Sequence, residues 1–234
     1  MTDHSVRGIA GPGTGLHPGD GSRHAVSVVI PAKGLGTAKS RLGLPDPDRR
    51  RIALRLVTTT VRAALDASSV GTVLVVTSDV EIAAETGRLG AVTVPEPPPF
   101  GLNAAARLGR RRALALRPNS PVAILVADLP LLGPGDLDTA VAQFRVGGDP
   151  LSVADRQRTG TTMLIHGPQD APEIQFGKGS AAAHLRAGFR SAEGDLAGLR
   201  TDLDVLGDLP GSFGSFGPHD GAVAASRRTG SITS

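Results

Sequence analysis

The sequence has 234 residues, 40% of them hydrophobic, with 25 basic and 22 acidic side chains and no cysteine. Disulfides, zinc–thiolate sites and thiol catalysis are therefore excluded, and a net charge of +3 lacks the basic stripe of a duplex-DNA binder. Aromatics amount to 3%, with no Trp and no Tyr, which argues against stacking platforms for single-stranded nucleic acid, and no apolar run approaches the roughly 20 residues that cross a bilayer.

Residues 1–24 are rich in Gly, Pro and polar side chains, and 211–234 are similar. Both read as flexible tails around a domain over 25–210. The first 24 residues lack the apolar stretch of a secretory signal, so the expected location is cytoplasmic. Within the domain, Val26–Pro31 is a β-branched run of the kind buried on both faces. Asp48–Ala67 has helical spacing, with Asp46 or Asp48 placed to cap it. Gly71–Ser78 reads as a strand, and Val80–Leu89 as a helix closed by Gly90. Ala91–Val94 is a short strand and Leu102–Leu116 a helix with an arginine-rich face. Pro121–Asp128 is the most apolar strand. Gly135–Arg145 is a helix, Leu151–Ala154 and Thr162–Ile165 are strands, and Gly179–Phe189 is a helix. Strands separated by helices imply βαβ crossovers and a mainly parallel sheet with helices on both faces. In such sheets ligands bind beyond the carboxyl ends of the strands.

The residues beyond those ends carry the chemistry. Lys33, Lys39 and Arg41 follow the first strand in "AKGLGTAKSRL", with Gly34 and Gly36 between them. Cations and glycines there suit phosphate oxygens, although the stretch also reads as a solvated turn. It matches neither the dinucleotide glycine motif nor the Walker pattern. Asp128, in "ILVADLP", ends a buried strand, where a carboxylate is costly without a partner; a divalent cation such as Mg²⁺ would supply one, and so would a helix amide. Asp202 and Asp204 lie two apart, on one side of an extended segment. They suit a shared cation, or an ordinary cap beside a solvated acid. "RTGTTML" and "FGKGSAAAH" put Gly and hydroxyls in turns, and the second leads into a helix. Ser180 there is either the cap or part of an anion site. His184, one turn in, is expected to be structural. Asn103, at the start of the helix after "PEPPPFG", has the reach of a base or ribose contact.

Taken in order, "PAKGLGTAKSRL", "GLNAA", "ADLP", "RTGTTML", "FGKGSAAAH" and the late "DLD" resemble the guanylyltransferases of coenzyme F-420 biosynthesis, over about residues 26–210. That resemblance implies an α/β, nucleotide-diphospho-sugar-transferase-like (Rossmann-like) fold. It implies transfer of GMP from GTP to a phosphorylated three-carbon acid such as phosphoenolpyruvate, with no nucleic-acid or membrane partner. It implies Mg²⁺ at Asp128, Asp202 and Asp204, and the phosphoacid at Thr161, Gly177 and Ser180. Lys33, Lys39 and Arg41 would then face the triphosphate, with Lys33, Lys39 and Asp128 as the catalytic groups. Ala127 stands where the family usually has Gly, and Val205–Leu206 where it often has Thr-Pro. The competing readings are a sugar-phosphate or molybdopterin nucleotidyltransferase on the same fold, and a non-catalytic nucleotide-binding protein. Residue patterns leave the acceptor, the base contacts and the oligomeric state open.

Overall fold

The apolar runs become strands because every side chain in them finds cover. In the computed structural model, which describes residues 25–36, 45–97, 101–170 and 172–203, all six residues of β1 (Val26–Pro31) are buried. With β2 (Val70–Thr77), β3 (Val92–Pro95), β4 (Val122–Leu125), β5 (Leu151–Ala154), β6 (Thr161–His166) and β7 (Arg190–Ser191) it forms a seven-stranded sheet in the order β3-β2-β1-β4-β6-β5-β7. β1 runs parallel to β2 and β4, β2 to β3, and β5 to β7. β6 is antiparallel to both β4 and β5. The sheet is thus mainly parallel, as expected, with one reversed strand. That reversal has a consequence for function. The start of β6 lies at the same edge of the sheet as the end of β4.

Six helices are seen among the described residues: α1 (Asp46–Asp66), α2 (Val80–Arg88), α3 (Leu102–Leu116), α4 (Pro134–Gly147), α5 (Ser180–Arg186) and α6 (Ala197–Arg200). Strand side chains alternate between two cores. Val28, Ile30, Val73, Val75, Ala123 and Leu125 pack with α1 and α4. Val29, Leu74, Val76, Val122 and Ile124 pack with α3, Phe176 and Phe189. No described helix is long and apolar enough to cross a membrane.

Several boundaries differ from expectation for identifiable reasons. α1 starts at Asp46, with Pro45 as its cap and no side-chain cap bond, so neither Asp46 nor Asp48 caps it. Pro47 sets a helical φ in the first turn, and both acids lie there, favourably placed against the helix dipole. β4 stops at Leu125 rather than Asp128. Val126 still donates to Thr162 O, but Ala127 O accepts instead from the Thr60 hydroxyl on α1 (3.3 Å). α5 ends before Ala187, and Gly188 follows at a φ of +91°. Phe189 then drops into the core, and β7 and α6, absent from the sequence reading, continue the chain. The two tails expected at 1–24 and 211–234 lie outside the described residues.

α3 can approach the sheet closely only because Gly109 faces it. A Cβ at Gly109 would come within 2.2 Å of Val29 Cγ1 and 2.8 Å of Val76 Cγ2. Gly109→Ala is expected to lower stability by about 1–3 kcal/mol, the usual cost of overpacking. Thermal unfolding of the variant measures this, and an unchanged midpoint would show that α3 can shift at no cost.

Candidate active site

The turn after β1 is held by an acid 44 residues away. Leu35, itself buried, donates its amide to Asp79 Oδ2 at 2.9 Å. Asp79 also caps α2, where its Oδ1 accepts from Glu81 N and Ile82 N at 3.0 and 3.3 Å. Burial raises the Asp79 pKa. The three amide bonds and the charge of Arg50 outweigh this and leave it lower than usual. One carboxylate thereby fixes two chain segments, and Lys33 is left exposed on the turn. Lys33 and Gly34 line a cleft of about 500 Å³ together with Pro31, Ser78, Glu96 and Leu102. Lys39 and Arg41 lie outside the described residues.

Asp128 is pinned through its backbone. The Thr60 hydroxyl, wholly buried, donates to Ala127 O and accepts from Leu129 N (3.4 Å), so it grips both neighbours of Asp128. On the other side, Leu203 N donates to Asp128 O at 3.0 Å. That bond returns the late acidic segment to β4 and brings Asp202 to the same edge as Asp128. Arg200 prepares the return by donating to Ala154 O and Ala192 O at 3.1 and 2.9 Å. Asp204 lies outside the described residues. Asp128 and Asp202 offer only oxygen, the donor that hard divalent cations take. That donor chemistry suits such an ion, and no group of three or more acids or histidines that could hold one forms among the described residues.

Thr161 opens β6 and Ser180 opens α5. Thr161 Oγ1 lies 2.9 Å from His184 Nδ1, and Gln175 N donates to His184 Nε2 at 3.2 Å. A backbone N–H can only donate, so Nε2 is the bare nitrogen and Nδ1 carries the proton. Nδ1–H therefore donates to Thr161, whose own hydroxyl proton remains unspent. Burial lowers the His184 pKa, with Glu173 working against it, which favours this neutral form. Ser180 is not the helix cap. Gly179 is, at a φ of +78°, and the buried Ser180 Oγ has no hydrogen-bond partner among the described residues. The α5 amides expected to receive an anion are already used, Ser180 N by Gly177 O and Ala181 N by Thr159 O. Gly177 sits at a φ of +125°, where a side chain would be strained. Asn103 is taken up in a clip: Nδ2 donates to Phe176 O at 3.1 Å and Oδ1 accepts from Phe176 N at 2.7 Å. It ties α3 to the segment that leads into Gly177.

Strand order now arranges these groups. Along the carboxyl edge of the parallel strands come Glu96 after β3, Ser78 and Asp79 after β2, Lys33 after β1, Asp128 after β4 and Thr161 at the start of β6. A cation, three acids and two hydroxyls share one edge.

The family model described as guanylyl transferase CofC like matches residues 26–192. This chain belongs to that family. It is 43% identical over 188 residues to the phosphoenolpyruvate guanylyltransferase of Salinispora arenicola, covering 78% of this chain and 85% of the relative. It is 43% identical over 216 residues to that of Geodermatophilus obscurus, covering 88% and 98%. Among solved structures, a nucleotidyl transferase from Methanothermobacter thermautotroptrophicus superposes with a TM-score of 0.54 at 18% identity, covering 79% of this chain and 94% of that one. A chain named as a nucleotide-diphospho-sugar transferase from Desulfovibrio desulfuricans gives 0.58 at 10% identity, covering 72% and 80%. These likenesses show the shared α/β nucleotidyltransferase fold.

For a guanylyl transferase, the sequence reading overlooks three residues that set the site without being its ligands. Thr60 and Asp79 are two of them. Asp155 accepts from Thr159 N and Gly160 N at 2.8 and 2.6 Å and so shapes the turn before Thr161. His184 supports the same site in the structural role expected of it. Only Asp79, just before a helical run, carried a visible capping signal.

Asp79→Ala is expected to cost about 0.5–2 kcal/mol of stability as a lost cap. It should also raise the GTP KM while leaving the acceptor KM near that of the parent chain. Equal changes in both constants would limit Asp79 to the helix.

A pH dependence follows from the buried histidines. Burial also lowers the His166 pKa. A histidine whose folded pKa lies below its unfolded value favours the fold fully above that unfolded value, 6.5 for both residues. The contribution fades as pH falls through the folded value. The unfolding temperature should therefore drop as pH falls below 6.5, and His184→Gln should flatten the slope. An unaltered slope in that variant would show that His184 does not carry it.

Proposed function

We propose that this chain transfers GMP from GTP to the phosphate of phosphoenolpyruvate and releases pyrophosphate, with Mg²⁺ as the divalent ion. This is the step that the resemblance places in coenzyme F-420 biosynthesis, and a cytoplasmic location suits both substrates. Family membership supports the guanylyl transfer, and the names of the relatives support the acceptor. One structural observation carries the acceptor site. Thr161 and Ser180 present buried hydroxyls whose protons meet no acceptor among the described residues. Buried donors without partners are rare and costly. A small anion with phosphate and carboxylate oxygens would satisfy both.

The chemistry asks little of the protein beyond placement and charge. An oxygen of the acceptor phosphate forms a bond to the α-phosphorus of GTP. The bond from that phosphorus to the bridging oxygen breaks, and its electron pair leaves on pyrophosphate. A phosphate monoester has its second pKa near 6, so the attacking oxygen is largely anionic at neutral pH without a general base. Asp128 and Asp202 would hold the metal, with Asp204 expected beside them. When bound, Mg²⁺ supplies charge neutralisation between phosphate groups. Lys33, joined by Lys39 and Arg41, would offset the triphosphate charge and hold the chain of phosphates in line. Thr161, Gly177 and Ser180 would orient the acceptor. Asn103 fixes the backbone next to Gly177 and supports that loop.

The test is pyrophosphate release with GTP, Mg²⁺ and a panel of phosphoenolpyruvate, 2-phospholactate and 3-phosphoglycerate. Phosphoenolpyruvate is expected to give the highest kcat/KM. Asp128→Asn should lower turnover by about a hundredfold or more. Ser180→Ala should raise the phosphoenolpyruvate KM by about tenfold and leave the GTP KM unchanged. A Ser180→Ala effect confined to GTP would move the acceptor elsewhere, and preference for another phosphoacid would replace phosphoenolpyruvate.

A further inference from the structure

We infer that Glu96 reads the guanine base, its carboxylate accepting from the adjacent N1–H and 2-amino donors. This rests on the reading of the chain as a GTP-using transferase and adds the base contact that reading lacks. Glu96 directly follows β3 and lines the same cleft as Lys33. It is half-buried. Its Oε1 accepts the Gly101 amide at 3.0 Å, and that is the one hydrogen bond the side chain makes among the described residues. A carboxylate has about four lone-pair positions. Closing the loop onto Gly101 uses one of them, and glutamine would do that as well. The remaining capacity of an ionised acid in a ligand cleft is the feature that needs a cause.

The cleft itself separates the two ends of a nucleotide. Lys33 stands after β1 and Glu96 after β3, with β2 between them. A carboxylate beside the triphosphate would repel it, so the phosphates belong at the lysine end and the base at the glutamate end. Strands lie about 4.8 Å apart, so Glu96 and Asp128 stand at strand ends about 14 Å apart. That span takes a base, a ribose and the phosphates in line. Pro31, Leu102 and Ala105 give the cleft apolar wall, which suits the faces of a planar ring.

Hydrogen-bond chemistry then picks the base. An ionised carboxylate only accepts. Guanine has two neighbouring donors on one edge, N1–H and the 2-amino group. Adenine and cytosine each offer a ring acceptor beside an amino group, and uracil offers a single N–H between two carbonyls. Each would set an acceptor against Glu96 and leave the acid poorly paired, and sites built on buried hydrogen bonds discriminate strongly on that basis.

Glu96→Gln separates this role from the loop clip, because its amide oxygen still accepts from Gly101 N. The experiment measures the Kd of GTP, ITP and ATP with the full chain, wild type and variant. ITP carries the same sugar and phosphates and lacks only the 2-amino group. The wild type should bind GTP more tightly than ITP by about tenfold or more, and ATP more weakly than either, as for a charge-assisted bond. In Glu96→Gln the GTP Kd should rise by about tenfold to a hundredfold, and the GTP/ITP ratio should fall toward one. Parallel loss of GTP and ITP with the ratio kept would overturn the inference and leave Glu96 as a loop clip. So would a wild type that binds ATP as well as GTP. If Glu96-dependent selection is seen but phosphoenolpyruvate does not turn over, the assignment of Glu96 stands and the acceptor reading falls.

Discussion

The sheet is covered on both faces, and this decides where charge can sit. β1 and β4 expose no side chain to solvent on either side. An ion placed along them would lose its hydration with no partner to replace it. Charged and hydroxyl groups are therefore pushed to the strand ends, and strand order becomes the order of functional groups. β6 extends the line because it runs backwards. Its first residue, Thr161, reaches the edge that a parallel strand would have given to its last. The antiparallel insertion thus adds a donor beside Asp128 without another crossover.

Across the fold, polar groups divide by what remains of their hydrogen-bonding capacity. Asp79, Asp155 and Asp138 are spent on the protein. Asp79 binds three amides, Asp155 binds the Thr159–Gly160 turn, and Asp138 takes the amides and hydroxyls of Ser68 and Ser69. For Asp138, burial raises the pKa and these bonds more than offset it, leaving it lowered. Such acids hold backbone and have little left for a ligand. Ser180, Thr161 and Glu96 are the opposite case, each with a proton or lone pairs unmatched by the described residues. Ser27 Oγ and Arg190 Nε are unmatched as well, so it is the position of Ser180, Thr161 and Glu96 at the proposed site that points to a ligand. The contrast sorts positioning groups from binding groups more sharply than residue type does. Two of the three proposed binding groups are hydroxyls, and the positioning set is aspartate.

The strands were legible because burial on both faces leaves continuous apolar runs, and the motif order gave the family. Long-range pairing was not legible. "SDVE" shows that Asp79 can cap a helix, but nothing local says that its other oxygen takes Leu35. The reversed direction of β6 carries no periodicity signal, since a fully buried strand reads alike in both directions. β7 is two residues long and exists only because β5 offers it an edge. Ser180 read as a cap or an anion ligand because Gly-Ser before an Ala-rich run fits both, and the left-handed backbone of Gly179, itself the cap, removes the first reading. Asn103 pointed toward a nucleotide in sequence, yet its amide closes on Phe176, 73 residues on. Glu96 was hidden among the prolines of "PEPPPFG", where nothing local marks a ligand group.

Two buried histidines show how the fold fixes proton positions without titrating them. His184 Nε2 faces the Gln175 amide, and His166 Nε2 faces the Arg110 guanidinium, donating through Nε at 3.2 Å. Neither donor can reverse its role, so both rings are held with the proton on Nδ1. His166 passes it to Gly167 O at 2.7 Å, a structural end point. His184 passes it to a hydroxyl, which can relay the direction onward. With one of its two lone pairs taken by Nδ1–H, Thr161 keeps its own proton free to donate toward the edge. Phe176 and Phe189 pack edge-on against the imidazole at ring separations of 5.9 and 5.3 Å and keep water from the far side. A backbone amide at Gln175 thus dictates, through one ring, which way a hydroxyl at the carboxyl edge presents its proton. An anionic acceptor needs that direction and no other.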